Sequence, residues 1–370
     1  VVSIRVPLRE ERDVSYDILI GRGLRTRLPG LLVERCPAAG YAVISDSHVA
    51  PLYGEPLVAA LRTAGMPTEL LTFPAGEWNK TRDTWSALCD RLLASSLGRD
   101  GAVVAVGGGV TGDIAGFVAA SFHRGIPWVQ VPTTLLAMID ASIGGKTGVD
   151  TAQGKNLLGA FHQPRLVVAD LDVLGTLTPP QLAAGIAEAV KHAVIADADY
   201  FGFLQNAVVP ITSDGAALER VVARSVEIKA EIVSSDEREQ GRRAVLNFGH
   251  TVGHALEATS GYALLHGEAV AIGMVAEARL AETMGIAEPG TARRIAAALE
   301  HHRLPIELPQ GAGADSLLAA MRHDKKARDG ELRFSLPLRV GAMRGSAAEQ
   351  WTVAVSDAMV RQMVEDGRPI

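Results

Sequence analysis

The chain has 370 residues, 48% of them hydrophobic, and a formal net charge of −6. That length suits two domains with ample core material, and the acidic balance gives no sign of a nucleic-acid partner. No apolar run approaches the roughly 18 residues a membrane span needs. The only cysteines are Cys36 and Cys89, with no CxxC. This fits a reducing cytoplasm and leaves any metal to histidines and carboxylates. The opening VVSIRVPLRE lacks a basic region followed by a long apolar run, so it is not expected to be a signal peptide. Neither internal repeats nor low-complexity segments are visible.

Through roughly the first 170 residues, strand and helix patterns alternate. Val14, Tyr16, Ile18 and Ile20 alternate as in a half-buried strand. YAVISD (41–46), residues 68–73, GAVVAV (101–106), PWVQV (127–131) and LVVAD (166–170) read as further strands. A helix is expected over 49–64, and a loop over 74–80 leads into another. Short apolar strands separated by helices predict a parallel sheet covered on both faces. Long apolar helical patterns follow: 179–195, 215–234, 243–259, 266–285, 289–302 and 313–327. Only 331–338, ELRFSLPL, reads as strand there. The expected fold is an α/β domain over 1–172 and a mainly helical domain over 173–370, with a ligand cleft between them.

Gly107, Gly109 and Gly112 satisfy G-x-G-x-x-G between a strand and a helix. Glycines there let backbone approach a pyrophosphate at the helix N-terminus. The standard Rossmann version lies in the first βα turn, with an acid ending the next strand. Here the turn comes late and the next strand ends at Pro132-Thr133-Thr134, so Asp46, ending an earlier strand, is the natural ribose partner. A plain tight turn is the competing reading. Gly144-Gly145-Lys146-Thr147 resembles the tail of a P-loop, but Asp140 stands where the first glycine belongs, which excludes an NTPase. Lys146, Lys155 and Asn156 in glycine-rich backbone form either a phosphate cradle or a solvated loop. Glu188 and Lys191 lie at i, i+3 in the apolar QLAAGIAEAVKHAVI. A surface salt bridge is the default, yet the apolar surroundings favour a buried carboxylate needing a cation.

RAVLNFGHTVGHALE (243–257) carries Arg243, Asn247, His250 and His254 at i, i+4, i+7 and i+11. On one helix they would share an arc of roughly 60°. The remaining surface is apolar, so a polar stripe would be buried and face a cavity. A metal and an anionic ligand would satisfy it. Histidines on such helices are often only satisfied core residues. A third, His266, opening the next helix makes a ligand set the better reading.

GGGVTGDIAGFVAASFHRG, VPTTLLAMIDASIGGKTGVD, GKNLLGAF, AGIAEAVKHAVI, NFGHTVGHALE, LHGEAVAIGM and DKK at 324–326 occur in this order. With these blocks the chain resembles the 3-dehydroquinate synthase family of sugar phosphate cyclases over essentially its whole length. The resemblance implies NAD in the α/β domain and a divalent metal, zinc or in some cases cobalt, between the domains. It also implies conversion of 3-deoxy-D-arabino-heptulosonate 7-phosphate to 3-dehydroquinate and phosphate, a step toward the aromatic amino acids. Carried over residue by residue, the metal ligands would be Glu188, His250 and His266. NAD would meet Asp46, Glu77, Lys80, Gly108, Gly109, Val110, Asp113, Thr133, Thr134, Lys155 and Thr176. Lys146, Lys155, Asn156, Asn247, His254 and Lys326 (or Lys325) would surround the phosphate and neighbouring groups. Arg243 would take the substrate carboxylate, and Asp140, Lys191 and Lys229 the hydroxyls. Arg124 would reach a partner's site in a homodimer.

Asp150 and His48 depart from the family pattern, which commonly has Asn at both places. The competing functions are an amino-dehydroquinate synthase, a metal-dependent NAD alcohol dehydrogenase and a non-catalytic ligand-binding descendant.

Overall fold

The computed structural model describes residues 13–261, 263–323, 331–346 and 350–366. Its first half contains the strands β1 (Asp17–Gly21), β2 (Tyr41–Asp46), β3 (Thr68–Phe73), β4 (Ala102–Gly107) and β5 (Trp128–Pro132). A hairpin follows, β6 (Lys146–Thr151) and β7 (Gly154–Phe161), and then β8 (Leu166–Asp170). Helices α1 (Leu24–Arg35), α2 (Glu55–Thr63), α3 (Arg82–Ala94) and α4 (Gly109–Ser121) lie between them. Six strands form one sheet in the order β1-β8-β5-β4-β2-β3, every pairing parallel.

Alternation along the strands explains why both faces are covered. Val43, Val104, Val106 and Val129 pack with Leu28 and Leu32 of α1 and Leu57 and Leu61 of α2. Their neighbours Ala42, Ile44, Val103 and Ala105 point the other way, onto Leu88 and Leu92 of α3 and Ile114 and Val118 of α4. Burial on both faces is why these strands read as continuous apolar runs.

Among the described residues eight helices follow, beginning with α5 (Pro179–Ala196), α6 (Ala198–Asn206), α7 (Gly215–Ser235) and α8 (His250–Thr259). The others are α9 (His266–Thr283), α10 (Thr291–His301) and α11 (Ala314–His323), with α12 (Asp357–Asp366) after the last strands. Every residue of α5 from Ala184 to Ile195 is buried. The largest core cluster joins this helix to Ala169 of β8 and Met138 and Ile139 of the preceding segment, so the two halves share one apolar interior. Among the described residues no helix is long and apolar enough to cross a membrane.

Three expectations are corrected. The stretch 243–259 is not one helix: a 3-10 turn spans Arg242–Asn247, and α8 begins only at His250. Gly249 between them has φ 78°, a left-handed conformation that interrupts helical bonding. The glycine-rich segment after Gly144 is an antiparallel hairpin, not a loop. Its strands cross closely, since a Cβ on Gly148 or Gly159 would strike backbone of the opposite strand. Finally, 331–338 divides into β9 (Leu332–Phe334) and β10 (Pro337–Arg339), which pair with β12 (Val353–Val355) and β11 (Ala342–Met343). Residues 324–327, read as the end of a helix, lie outside the described residues, as does Lys326.

Candidate active site

The helix pair α8–α9 is held close by absent side chains. A Cβ on Gly273 would strike the carbonyl of Gly249, and one on Gly249 would meet Met274 and the Val270 carbonyl. Glu277, one turn beyond Gly273 and fully buried, accepts the N–H of Gly249 at 2.7 Å and of Val252 at 3.1 Å. A carboxylate on unsatisfied amides at a helix start is favoured by both hydrogen bonding and the helix dipole. Farther along, a Cβ on Gly267 would strike the backbone of Ala184, so the start of α9 lies directly on α5. Glu188 is one turn on from Ala184.

These approaches assemble three ligand-type side chains. The Nε2 atoms of His250 and His266 lie 3.5 Å and 3.4 Å from the same Glu188 oxygen. Glu188 is fully buried, and Lys191 pairs with one of its carboxylate oxygens while the two imidazole nitrogens face the other. The ligand atoms of the trio all lie within 4.8 Å of one another. A buried carboxylate oxygen faced by two imidazole nitrogens, one from α8 and one from α9, fits a divalent metal of the zinc type. His250 Nδ1 is 3.1 Å from the Phe248 carbonyl. A carbonyl only accepts, so Nδ1 carries the proton and Nε2 offers its lone pair inward. Burial, and then the Lys191 charge, pushes His250 well below the ordinary imidazole range. His266 goes the other way: burial opposes its charge, but bonds to Glu188 and Glu257 outweigh it and raise it to about 10. Burial would raise the Glu188 carboxyl, yet the Lys191 ammonium holds it below the usual range. The His254 ring lies 5.2 Å from that of His250 and 6.0 Å from that of His266, between centroids.

Beside this trio is a cluster of buried charges. Asp140 takes the Lys229 ammonium on its Oδ1 at 2.6 Å, with Lys191 at 3.8 Å. Burial opposes its ionisation, but the two lysines hold it well below the usual carboxylate range. Arg243 is 2% exposed. Its backbone N–H is fixed by Asp236 at 2.9 Å, and its guanidinium donates to the carbonyls of Glu237 at 2.5 Å and Gly144 at 3.4 Å. Glu239 pairs with Lys146 and accepts from Asn247 at 2.7 Å. The sequence reading missed Glu239, because DEREQGRR looks like a solvated loop; it also missed Glu257 and Glu277.

The expected cofactor residues follow the sheet order. Thr133 and Thr134 follow β5, Gly108 and Gly109 follow β4, Asp46 ends β2, and Glu77 and Lys80 follow β3. In a parallel sheet these ends share one edge, where ligands sit. Gly108 precedes α4 without any side-chain cap, leaving the first amides, near Val110, available to an anion. Asp113 pairs with Lys80 at 2.5 Å, and Lys80 donates to Asn156 at 2.6 Å. Lys155 reaches Glu77 at 3.3 Å and Glu257 at 3.2 Å. Asp46 accepts the N–H groups of His48 and Val49, so His48 there leaves the carboxylate turn intact. Asp150 accepts the Asn156 N–H at 2.8 Å. The Thr176 hydroxyl lies 2.9 Å from that of Tyr53. Arg124 is exposed with φ 67°, on a turn after α4, and no contact brings it to the trio.

A parallel α/β sheet with a glycine turn at its ligand edge, packed on helices that carry a carboxylate–bis-imidazole trio, defines a class of α/β–helical enzymes. Known proteins narrow the class. A family model described as 3-dehydroquinate synthase N-terminal matches residues 70–184, and one described as 3-dehydroquinate synthase C-terminal matches 185–327. The chain is 51% identical to a 3-dehydroquinate synthase of Symbiobacterium thermophilum over 337 residues, 90% of this chain and 93% of the relative. It is 48% identical to that of Caulobacter vibrioides over 338 residues, 88% and 90% of the two chains. Among solved structures it is similar to 2-epi-5-epi-valiolone synthase from Streptomyces hygroscopicus with NAD+ and Zn2+ bound. That match has a TM-score of 0.87 at 30% identity, covering 98% and 99% of the chains. A 2-deoxy-scyllo-inosose synthase complexed with carbaglucose-6-phosphate, NAD+ and Co2+ also scores 0.87, at 28% identity, covering 95% and 97%. An NADH-dependent butanol dehydrogenase from Thermotoga maritima, at 0.70 and 14% identity, shares the fold alone. The chain belongs to the 3-dehydroquinate synthase family. It is an enzyme with the lyase activity that names the family.

Proposed function

We propose that this chain converts 3-deoxy-D-arabino-heptulosonate 7-phosphate into 3-dehydroquinate and inorganic phosphate. The observation that carries the substrate assignment is Arg243. Its buried guanidinium donates only to backbone carbonyls, and among the described residues no carboxylate forms an ion pair with it. A substrate carboxylate meets that need. Cyclases acting on substrates without this carboxylate would have no use for it.

Residues 1–172 hold NAD and 173–370 hold the metal, probed by Glu188, His250 and His266 as ligands. The solved relatives carry NAD+ with Zn2+ or Co2+, which supports both cofactors here. When bound, NAD supplies a hydride acceptor restored within the cycle, and the metal supplies a Lewis acid at the oxidised hydroxyl. Asp46, Glu77, Lys80, the turn Gly108–Val110, Asp113, Thr133, Thr134, Lys155 and Thr176 line the NAD side. Lys146, Asn156, Asn247 and His254, with Lys326 or Lys325, hold the phosphate. Asp140, Lys191 and Lys229 orient the hydroxyls and move their protons.

The enzyme works in the cytoplasm as a homodimer. Exposed Leu157, Leu158 and Phe161 on β7, an edge strand paired only with β6, support a second copy covering this face. Arg124 projects from the turn before Ile126, whose carbonyl bonds His162 just beyond β7. Arg124 therefore stands near this edge, suited to reach the second copy.

The test mixes protein, NAD, zinc and the seven-carbon substrate. Phosphate release without NADH accumulation supports the proposal, whereas stoichiometric NADH would indicate a dehydrogenase. Faster turnover of the amino-substituted analogue would move the chain to the amino-dehydroquinate branch.

A further inference from the structure

Glu257 is 4% exposed on the polar side of α8, seven residues after His250 and three after His254. One oxygen lies 3.3 Å from His266 Nδ1, and the other lies 3.2 Å from the Lys155 ammonium.

An ionised carboxylate only accepts, so the His266 nitrogen facing it carries a proton. The opposite nitrogen, Nε2, then faces Glu188, where the Nε2 of His250 also converges. The two imidazoles reach the same orientation by different means. His250 is fixed by the Phe248 carbonyl, a neutral backbone group that no side-chain change removes. His266 is fixed by a charged side chain, which both sets the tautomer and makes the ring a stronger donor. Lys155 sits on β7 and also touches Glu77, beside the cofactor edge. Its ammonium meets the Glu257 oxygen that does not face His266.

We infer that Glu257 is a positioning residue for the metal. It holds His266 in the Nδ1–H tautomer with Nε2 aimed at the metal position, and Lys155 anchors it there. This rests on the reading that Glu188, His250 and His266 bind a divalent ion.

Zinc affinity measured by chelator competition on the intact protein tests it without recourse to activity. Glu257→Gln keeps an acceptor but loses the charge, and should weaken zinc binding about ten-fold. Glu257→Leu keeps neither and should weaken it toward about a hundred-fold. Circular dichroism of the metal-free variants should match the unaltered protein. Zinc affinity within two-fold of the unaltered chain in a folded Glu257→Leu would overturn the inference. If the unaltered protein itself binds no zinc, the metal reading fails instead. Should Glu257→Leu not fold, 15N-histidine NMR of the zinc-loaded unaltered protein decides. Two metal-bound imidazoles both protonated at Nδ1 are expected, and one bound through Nδ1 would overturn the assignment.

Discussion

Gly249 and Glu277 are joined by a 2.7 Å hydrogen bond from the backbone N–H of one to the buried carboxylate of the other. This bond ties the start of α8 to the middle of α9 and so determines where His250 enters the site. Glu277→Gln can satisfy one of the two amides with its carbonyl oxygen, but it turns an NH2 toward the other. We expect a loss of about 1–3 kcal/mol in stability for the amide left unsatisfied. Denaturant unfolding should show it as a lower midpoint at unchanged slope. An unaltered midpoint would mean that the glycine seam alone holds the helices.

Removing the ligand itself should act on the metal and leave the fold standing. His250→Ala deletes one of two imidazoles that face Glu188 from α8 and α9. Elemental analysis after dialysis should find zinc far below one equivalent, and turnover should vanish. Full occupancy in that variant would remove His250 from the ligand set.

The Arg243 segment makes a prediction about pH. Asp236 accepts the N–H groups of Gln240, Gly241 and Arg243. Its carboxyl is half-buried; burial would raise it, but these amides hold it below its ordinary value of 3.8. A depressed folded value means stability that is present above the unfolded value and lost as pH falls through the folded one. Asp236→Asn should therefore be less stable than the unaltered protein at neutral pH. The gap should narrow as pH drops below about 4. A constant gap down to acid would mean that shape, not charge, holds the segment.

Much of this arrangement was readable from residue order. The strands YAVISD and 68–73 have the bounds read from their apolar runs, and the helix read over 179–195 runs to Ala196. YAVISD and the helix from Pro179 are buried along most of their length, so composition alone marks them, whereas the edge strand 68–73 buries only Leu71 and Phe73. The break at Gly249 was not read, although the glycine was visible. Helical spacing of Arg243, Asn247, His250 and His254 happens to persist across the 3-10 turn, and periodicity cannot distinguish the two. Glu239, Glu257 and Glu277 escaped for a different reason. Each acid is explained only by a partner from another element: Lys146, His266 or the Gly249 amide. Spacing along one element carries no trace of such pairings. The hairpin Lys146–Phe161 was hidden because Gly148 and Gly159, which its close strand crossing requires, also suggest a loop.

The guanidinium of Arg243 supplies the last prediction. It lies against the Gly144 carbonyl, and a Cβ added to Gly144 would crowd the guanidinium itself. Its reach is thus fixed between the two halves of the chain by Glu237 and Gly144. If it receives the substrate carboxylate through its planar fork, Arg243→Ala should cost about 2–5 kcal/mol in kcat/KM, because a desolvated charge pair loses one partner. Arg243→Lys restores the charge but neither the fork nor the two backbone bonds at once. Rescue should be poor, with most of the loss remaining. Steady-state kinetics on both variants, with circular dichroism to confirm folding, separates charge from geometry. A lysine variant with near-original kcat/KM would mean that Arg243 serves the backbone of Glu237 and Gly144 rather than the substrate.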